Sequence, residues 1–188
     1  MDVTAEACVD QILDLLETAG QSAYFGEPVT QLEHALECAQ LARDAGSDEE
    51  MAIAALLHDI GHLLEGEGLH HDAVGVVDHD AVGARYLLER GFSDRVAQLV
   101  SGHVAAKRYL TRTNPSYFVR LSPASLATLE LQGGPMTAVE AAAFSSDPWF
   151  EQKLRLRSWD EQAKVPGWAV APLSSYRNIL ISHLNRQP

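Results

Sequence analysis

The sequence predicts an all-α fold in a single domain, and three observations carry that prediction. Apolar residues recur at the i, i+3, i+4 spacing of one helix face along most of the chain. No segment alternates apolar and polar residues as a half-buried strand would. Serine, threonine or aspartate repeatedly stands just before a helical run, and glycine just after one, where helices are capped. At 188 residues the chain has the length of one domain able to bury a sizeable core.

Taken in order, the first helix is expected from about Ala5 to Thr18. Cys8, Val9, Ile12, Leu13, Leu15 and Leu16 share a face there, and Gly20 ends it. Gln21 to Glu27 holds two aromatics beside a glycine and reads as a loop that covers something or packs down. Pro28 suits the first turn of a second helix running to about Arg43, with Leu32, Ala35, Leu36 and Ala39 facing the core and His34 close to their edge. Ser47 and Glu50 have capping-box spacing, and the helix they open is expected to continue to about Leu64. Glu65 to Val77, rich in glycine and holding His70, His71 and Asp72, reads as a loop.

Asp78 then opens a helix from His79 to Arg90, closed by Gly91, and Ser93 opens one that passes His103 toward Leu110. Asn114-Pro115 breaks the chain. Ser122-Pro123 joins an N-cap to a proline at the first helical position, and Gly133-Gly134 closes that helix. Thr137 to Glu140 repeats the capping-box spacing, Asp147-Pro148 opens a helix through Asp160, and Ser174 or Ser175 opens the last. No repeat, low-complexity tract or linker divides the series, so residues 1–188 are expected to form one domain. Its functional core spans about 24–160, followed by a helical extension over 161–188.

Charge narrows the function classes. With 26 acidic and 14 basic residues the formal charge is −12, which argues against a nucleic-acid surface or an anionic membrane as partner. An anionic small molecule would need a local basic pocket. There is no apolar run of transmembrane length and no signal-peptide pattern, and two ordinary cysteines, Cys8 and Cys38, make no disulfide framework. A reduced, cytoplasmic protein is therefore expected.

The chemistry is concentrated in Ala55-Leu-Leu-His-Asp-Ile-Gly-His62. On a continuous helix His58 and His62 share a face, and Asp59, about 100° away, can still reach a site lying between helices. His34, His79, His103 and Asp160 lie on other helices. Singly, each reads more often as a structural or solvated residue. As a set, imidazoles and carboxylates suit iron, manganese or zinc, and one aspartate with two oxygens can bridge two ions.

The order His34, His58-Asp59, His79, His103, Asp160 resembles the HD-domain superfamily, an all-α bundle that includes metal-dependent phosphohydrolases and diiron oxygenases. Four words sharpen the likeness: Gln31-Leu-Glu-His34, Leu56 to His62, Gly102 to Tyr109, and Leu129 to Met136. Together they resemble the PhnZ and TmpB type, mixed-valent non-haem diiron oxygenases that cleave the carbon–phosphorus bond of 1-hydroxyphosphonates with dioxygen. The likeness covers about Tyr24 to Asp160.

That resemblance implies a metal set of His34, His58, Asp59 and Asp160 on one iron and Asp59, His79 and His103 on the other, with Asp59 bridging. The cofactors would be two iron ions, Fe(II)/Fe(III), with O2 as co-substrate. His62 would face the substrate, and His70 and His71 stay loop residues. Lys107 follows His103 by one turn on the same face, where a cation can hold a phosphonate. Ser125 and Thr128, hydroxyls in the first turns of a helix, match phosphonate-binding positions. Tyr24 and Glu27 match a loop that can close the site, the tyrosine occupying an iron position. A carboxylate and aromatic rings on one loop could also receive a cationic substrate end.

The implied substrates are 1-hydroxy-2-aminoethylphosphonate, giving glycine, or its N-trimethyl analogue, giving glycine betaine, with phosphate released from either. The resemblance leans to the (R)-trimethylammonio compound, although no single residue decides. An upstream hydroxylase would supply the 1-hydroxyphosphonate. The competing reading is an HD-type phosphohydrolase acting on a nucleotide or phosphate ester, which needs almost the same ligands. A third is a catalytically idle helical scaffold.

Overall fold

A computed structural model describes residues 4–64, 66–71 and 75–187; Asp72, assigned above to a loop, lies outside them. Ten α-helices are present among the described residues: α1 Ala5–Thr18, α2 Gln31–Asp44, α3 Glu49–Leu57, α4 His79–Glu89, α5 Asp94–Thr113, α6 Pro115–Arg120, α7 Pro123–Leu131, α8 Ala138–Ser145, α9 Phe150–Gln162 and α10 Arg177–Arg186. The all-α expectation holds. The strands are a two-residue pair, β1 His70–His71 against β2 Gly75–Val76, within the segment expected to be a loop.

The caps that set these boundaries differ from the sequence expectation at α2, α3, α4, α9 and α10. Asp78 precedes α4 without a side-chain capping bond, α9 follows Trp149 and not Asp147-Pro148, and α10 begins at Arg177 after a 3₁₀ turn Leu173–Tyr176 and not at Ser174 or Ser175. Pro28 does not start α2. Thr30 does, its hydroxyl accepting from the Glu33 amide while the Glu33 carboxylate accepts from the Thr30 amide. Ser47 does not start α3: Asp48 caps it by accepting from Met51 N at 3.0 Å, and Glu50 turns away to Ser93 and Arg95. Ser93, Ser122 and Thr137 cap α5, α7 and α8 as their positions predict. Asn114 ends α5 and in the same step caps α6.

α3 is the centre of the bundle. Met51 through Leu57 are all buried, so the helix has no polar face and must be covered on every side. α2, α5 and α9 pack against it, and α4 lies along α5. Gly102 lets α5 approach α9, because a Cβ there would meet the buried aliphatic stem of Lys153 at 2.5 Å. The C-terminal segment closes the far side. Tyr176 and Leu180 are fully buried, α10 packs on α1, and Arg177 pairs with Asp10 at 2.9 Å. Cys8 and Cys38 are free thiols inside the core.

Candidate metal centre

The motif stretch is not one helix. α3 stops at Leu57, Asp59 takes φ −102° and ψ 10°, and Ile60–Leu63 forms a 3₁₀ turn, so the helix expected to reach Leu64 ends seven residues early. Close packing accounts for the break: a Cβ on Gly61 would lie 2.0 Å from the carbonyl oxygen of His79, so the turn presses directly on the start of α4. His58 and His62 therefore do not share a helix face. His62 instead stacks on His79, ring centroids 3.9 Å apart.

Around Asp59 the imidazoles fall into two pairs. Its Oδ2 lies 3.5 Å from His34 Nε2 and 3.4 Å from His58 Nε2; its Oδ1 lies 3.3 Å from His79 Nε2 and 3.4 Å from His103 Nε2. Asp160 Oδ1 joins the first pair, 3.5 Å from His34 Nε2. Within the pairs the Nε2 atoms approach to 3.1 Å for His34 and His58 and 3.0 Å for His79 and His103. One carboxylate thus serves two clusters, one oxygen to each.

The tautomers follow from the main chain. Nδ1 of His34, His58, His79 and His103 lies 2.6, 2.9, 3.1 and 2.7 Å from the carbonyls of Ala163, Ala55, Val76 and Val100. A carbonyl only accepts, so each Nδ1 donates and each Nε2 turns a lone pair inward. Two bare lone pairs at about 3 Å repel unless a cation or proton lies between them. Asp59 Oδ2 and Asp160 Oδ1 are buried without a hydrogen-bond partner. Such a set of nitrogens and carboxylate oxygens, oriented by backbone carbonyls, fits metal ions.

The charges are strongly perturbed. Burial works against ionising Asp59, but His58 and the other imidazoles hold its carboxyl well below the usual range. Burial likewise opposes a charged Asp160, and Arg157 prevails, keeping that carboxyl ionised. Arg157 Nη1 donates to Asp160 Oδ2, Nε donates to the Tyr117 hydroxyl at 2.8 Å, and the guanidinium pairs with Glu161.

Residues 32–141 match the family described as HD domain. The chain belongs to the HD-domain family. A hydroxymethylphosphonate dioxygenase of Gimesia maris is 43% identical over 170 residues, 89% of this chain and 84% of that protein. A [1-hydroxy-2-(trimethylamino)ethyl]phosphonate dioxygenase (glycine-betaine-forming) of Leisingera caerulea is 43% identical over 172 residues, 88% of this chain and 87% of that protein. An uncharacterized protein of Acanthamoeba polyphaga mimivirus is 40% identical over 179 residues, 94% of this chain and 82% of its own length. Within the HD-domain family the chain is thus an oxygenase of the PhnZ type, and the phosphohydrolase alternative loses its ground.

Beside the cluster this HD domain has a cavity of about 240 Å³, bounded by His62, His79, His103 and Asp160 at its inner end. Five further residues predicted from sequence line it, Tyr24, Glu27, Lys107, Ser125 and Thr128, whereas His34, His58 and Asp59 lie behind its wall. Tyr24 stacks on His34 at 4.1 Å, and burial, with Asp59 and Asp160 nearby, raises its phenol well above the ordinary tyrosine value. Lys107 Nζ donates to Thr128 Oγ1 at 2.8 Å; burial, and then Arg157, push its ammonium down to about 7. His62 is held well below the ordinary histidine value by burial and by His79, so it is a neutral donor. A nitrogen of His62 also lies within 4.8 Å of ligand atoms of Asp59 and His79, closer to the cluster than a purely substrate-facing position requires.

Sequence reasoning missed Arg157, Tyr117 and Lys164. Arg157 stands three residues before Asp160 on one helix, a spacing that could have flagged it. Lys164, which meets Glu27 at 3.0 Å, lies beyond the end of α9 and gives no local signal. Among the described residues no helix is long and apolar enough to cross a membrane.

Proposed function

We propose that this HD-domain enzyme uses dioxygen to cleave the C–P bond of a 1-hydroxyphosphonate, with His34, His58, Asp59 and Asp160 holding one iron and Asp59, His79 and His103 the other. One observation carries the reading: the two oxygens of a single buried carboxylate face two separate imidazole pairs. The dioxygenase relatives support the phosphonate substrate class.

The reaction balances as R–CH(OH)–PO₃²⁻ + O₂ → R–COO⁻ + HPO₄²⁻ + H⁺, with carbon and phosphorus each gaining one oxygen. An Fe(II)/Fe(III) pair supplies the oxygen activation and the redox capacity for that four-electron reduction. The rest is positioning. Lys107 and the first turns of α7, with Ser125 and Thr128, form a cationic and hydroxyl-bearing wall for the phosphonate. Neutral His62 can donate a hydrogen bond to a substrate oxygen without adding charge beside the metals. Tyr24 and Phe25 line the same cavity, and Tyr24, stacked on His34, must give up its place beside the cluster for substrate to reach it.

A substrate already carrying the 1-hydroxyl implies a preceding hydroxylation at that carbon. The test is dioxygen uptake and phosphate release by iron-loaded, partly oxidised protein given hydroxymethylphosphonate, 1-hydroxy-2-aminoethylphosphonate or its trimethyl analogue. Uptake matched one to one by phosphate supports the proposal. No uptake with any of the three defeats it.

A further inference from the structure

The cavity wall holds a charge pair that the proposed chemistry does not use. Glu27 Oε1 accepts from Lys164 Nζ at 3.0 Å, and both side chains are largely covered, 10% and 13% exposed. Both line the cavity beside Tyr24 and Phe25. Lys164 has a fixed base, because it follows Ala163, whose carbonyl accepts from His34 Nδ1 at 2.6 Å, and its own amide donates to Gln162 O at 2.9 Å. Glu27 is placed by a tight turn whose Gly26 has φ +69°.

A covered carboxylate on a cavity wall that also carries Tyr24 and Phe25 is the group that a substrate's cationic end would seek. Here its charge is already matched. A substrate with a cationic substituent must displace or share the Lys164 ammonium, whereas an uncharged one leaves the pair intact. The nature of the cation matters as well. A primary ammonium can replace the lysine's hydrogen bond, but a trimethylammonium has no N–H and offers only charge and contact with the rings of Tyr24 and Phe25.

We propose that Lys164 is a specificity-determining residue, competing with the substrate's cationic group for Glu27 and so setting the preference between 1-hydroxyphosphonates that carry a quaternary ammonium and those that carry no cation. This deepens the phosphonate reading above and rests on it.

The test compares kcat/KM for hydroxymethylphosphonate and 1-hydroxy-2-(trimethylammonio)ethylphosphonate, by phosphate release, in the iron-loaded full chain and its variants. Lys164→Met raises the ratio of trimethylammonio to hydroxymethyl substrate about tenfold, through KM. Lys164→Arg, which keeps the pair, holds the ratio within about threefold of wild type. Lys164→Gln shifts it as the methionine does, which keeps the inference open to refutation should the methionine variant not fold. A purely structural lysine would slow both substrates together. An unchanged or falling ratio, with wild type turning over at least one substrate, overturns this inference alone. Release of phosphate from neither substrate by wild type is the failure of the underlying reading, and both then fall.

Discussion

Arg157 donates to Oδ2 of Asp160 from one helical turn away, and the other oxygen of that carboxylate, without a partner, lies 3.5 Å from His34 Nε2. The arginine is itself held by Tyr117 and Glu161. It decides which oxygen of Asp160 faces the first cluster. Removing an outer partner of this kind typically weakens metal binding by about 10–100-fold. Arg157→Met is therefore expected to retain about one metal per chain after dialysis against a weak chelator, where wild type retains two. Arg157→Lys, which keeps the charge but not the planar fork, should fall between them. Two metals retained in Arg157→Met would end the positioning role.

Asp59 has no such substitute, because its two oxygens serve both clusters. Asp59→Ala is expected to lose most bound metal from both positions, read as metal per chain on the isolated protein. Full retention of two ions would dispose of the bridging assignment.

Much of this arrangement is legible in the sequence, and the misreadings have physical causes. Helix periodicity and the Ser93, Ser122 and Thr137 caps are local, so α5, α7 and α8 begin where expected. Pro28 and the Thr30–Glu33 box are competing start signals, and the box wins because it satisfies two amides that a proline cannot. The end of α3 at Leu57 is hidden, since its residues continue a helical pattern and the break arises from contact between Gly61 and a carbonyl eighteen residues on. Lys164 and Glu27 meet across 137 residues, a distance no spacing rule spans.

The close approach at Gly61 also makes it a lever on the second cluster. A methyl group there would collide with the His79 carbonyl at 2.0 Å and reach to 3.0 Å from Gly83 N, so the start of α4 must shift and carry His79 away from Asp59. Overpacking of this kind costs about 1–3 kcal/mol or more, which for a chain of this length lowers Tm by roughly 3–10 °C. Gly61→Ala is expected to show that loss together with weaker binding of one metal of the two. A lowered Tm with both ions bound at wild-type affinity would show that the shift is absorbed without moving His79.

Proton competition should be visible in stability. In the metal-free site burial opposes a charged His58, but Asp59 and then Cys38 prevail and raise it well above the ordinary value. A raised histidine contributes stability that is complete below its unfolded value of about 6.5 and is lost as pH rises through the folded value. The depressed Asp59 has the opposite sign: its contribution is present above about 3.9 and disappears only as pH falls through its low folded value. The His58 contribution should therefore be complete at mildly acidic pH and decline above neutrality, read as the Tm difference between metal-free wild type and His58→Asn, because the depressed Lys107 and His62 act with the opposite sign on the total. A metal ion displaces the His58 proton, so the Tm gain from Fe(II), measured anaerobically, should grow between about pH 6 and about pH 8.5. A constant gain would show that no proton is exchanged for metal.

Lys107 carries the last prediction, because its burial makes it a conditional cation. Its ammonium is pushed down to about 7 by burial and by Arg157, so the free protein loses that charge as pH rises through neutrality. A bound phosphonate oxygen beside Nζ reverses this by favouring the charged form, and above pH 7 the complex must take up a proton that the free enzyme lacks. Calorimetric titration with hydroxymethylphosphonate near pH 8, in two buffers of different ionisation enthalpy, is expected to show uptake approaching one proton. KM should rise with pH over the same range. Lys107→Gln should abolish most of that uptake and raise KM at least about tenfold at neutral pH, as removal of a buried charged partner does. Identical proton uptake in the variant would place the titrating group elsewhere, and a KM unchanged by the substitution would remove Lys107 from the phosphonate wall.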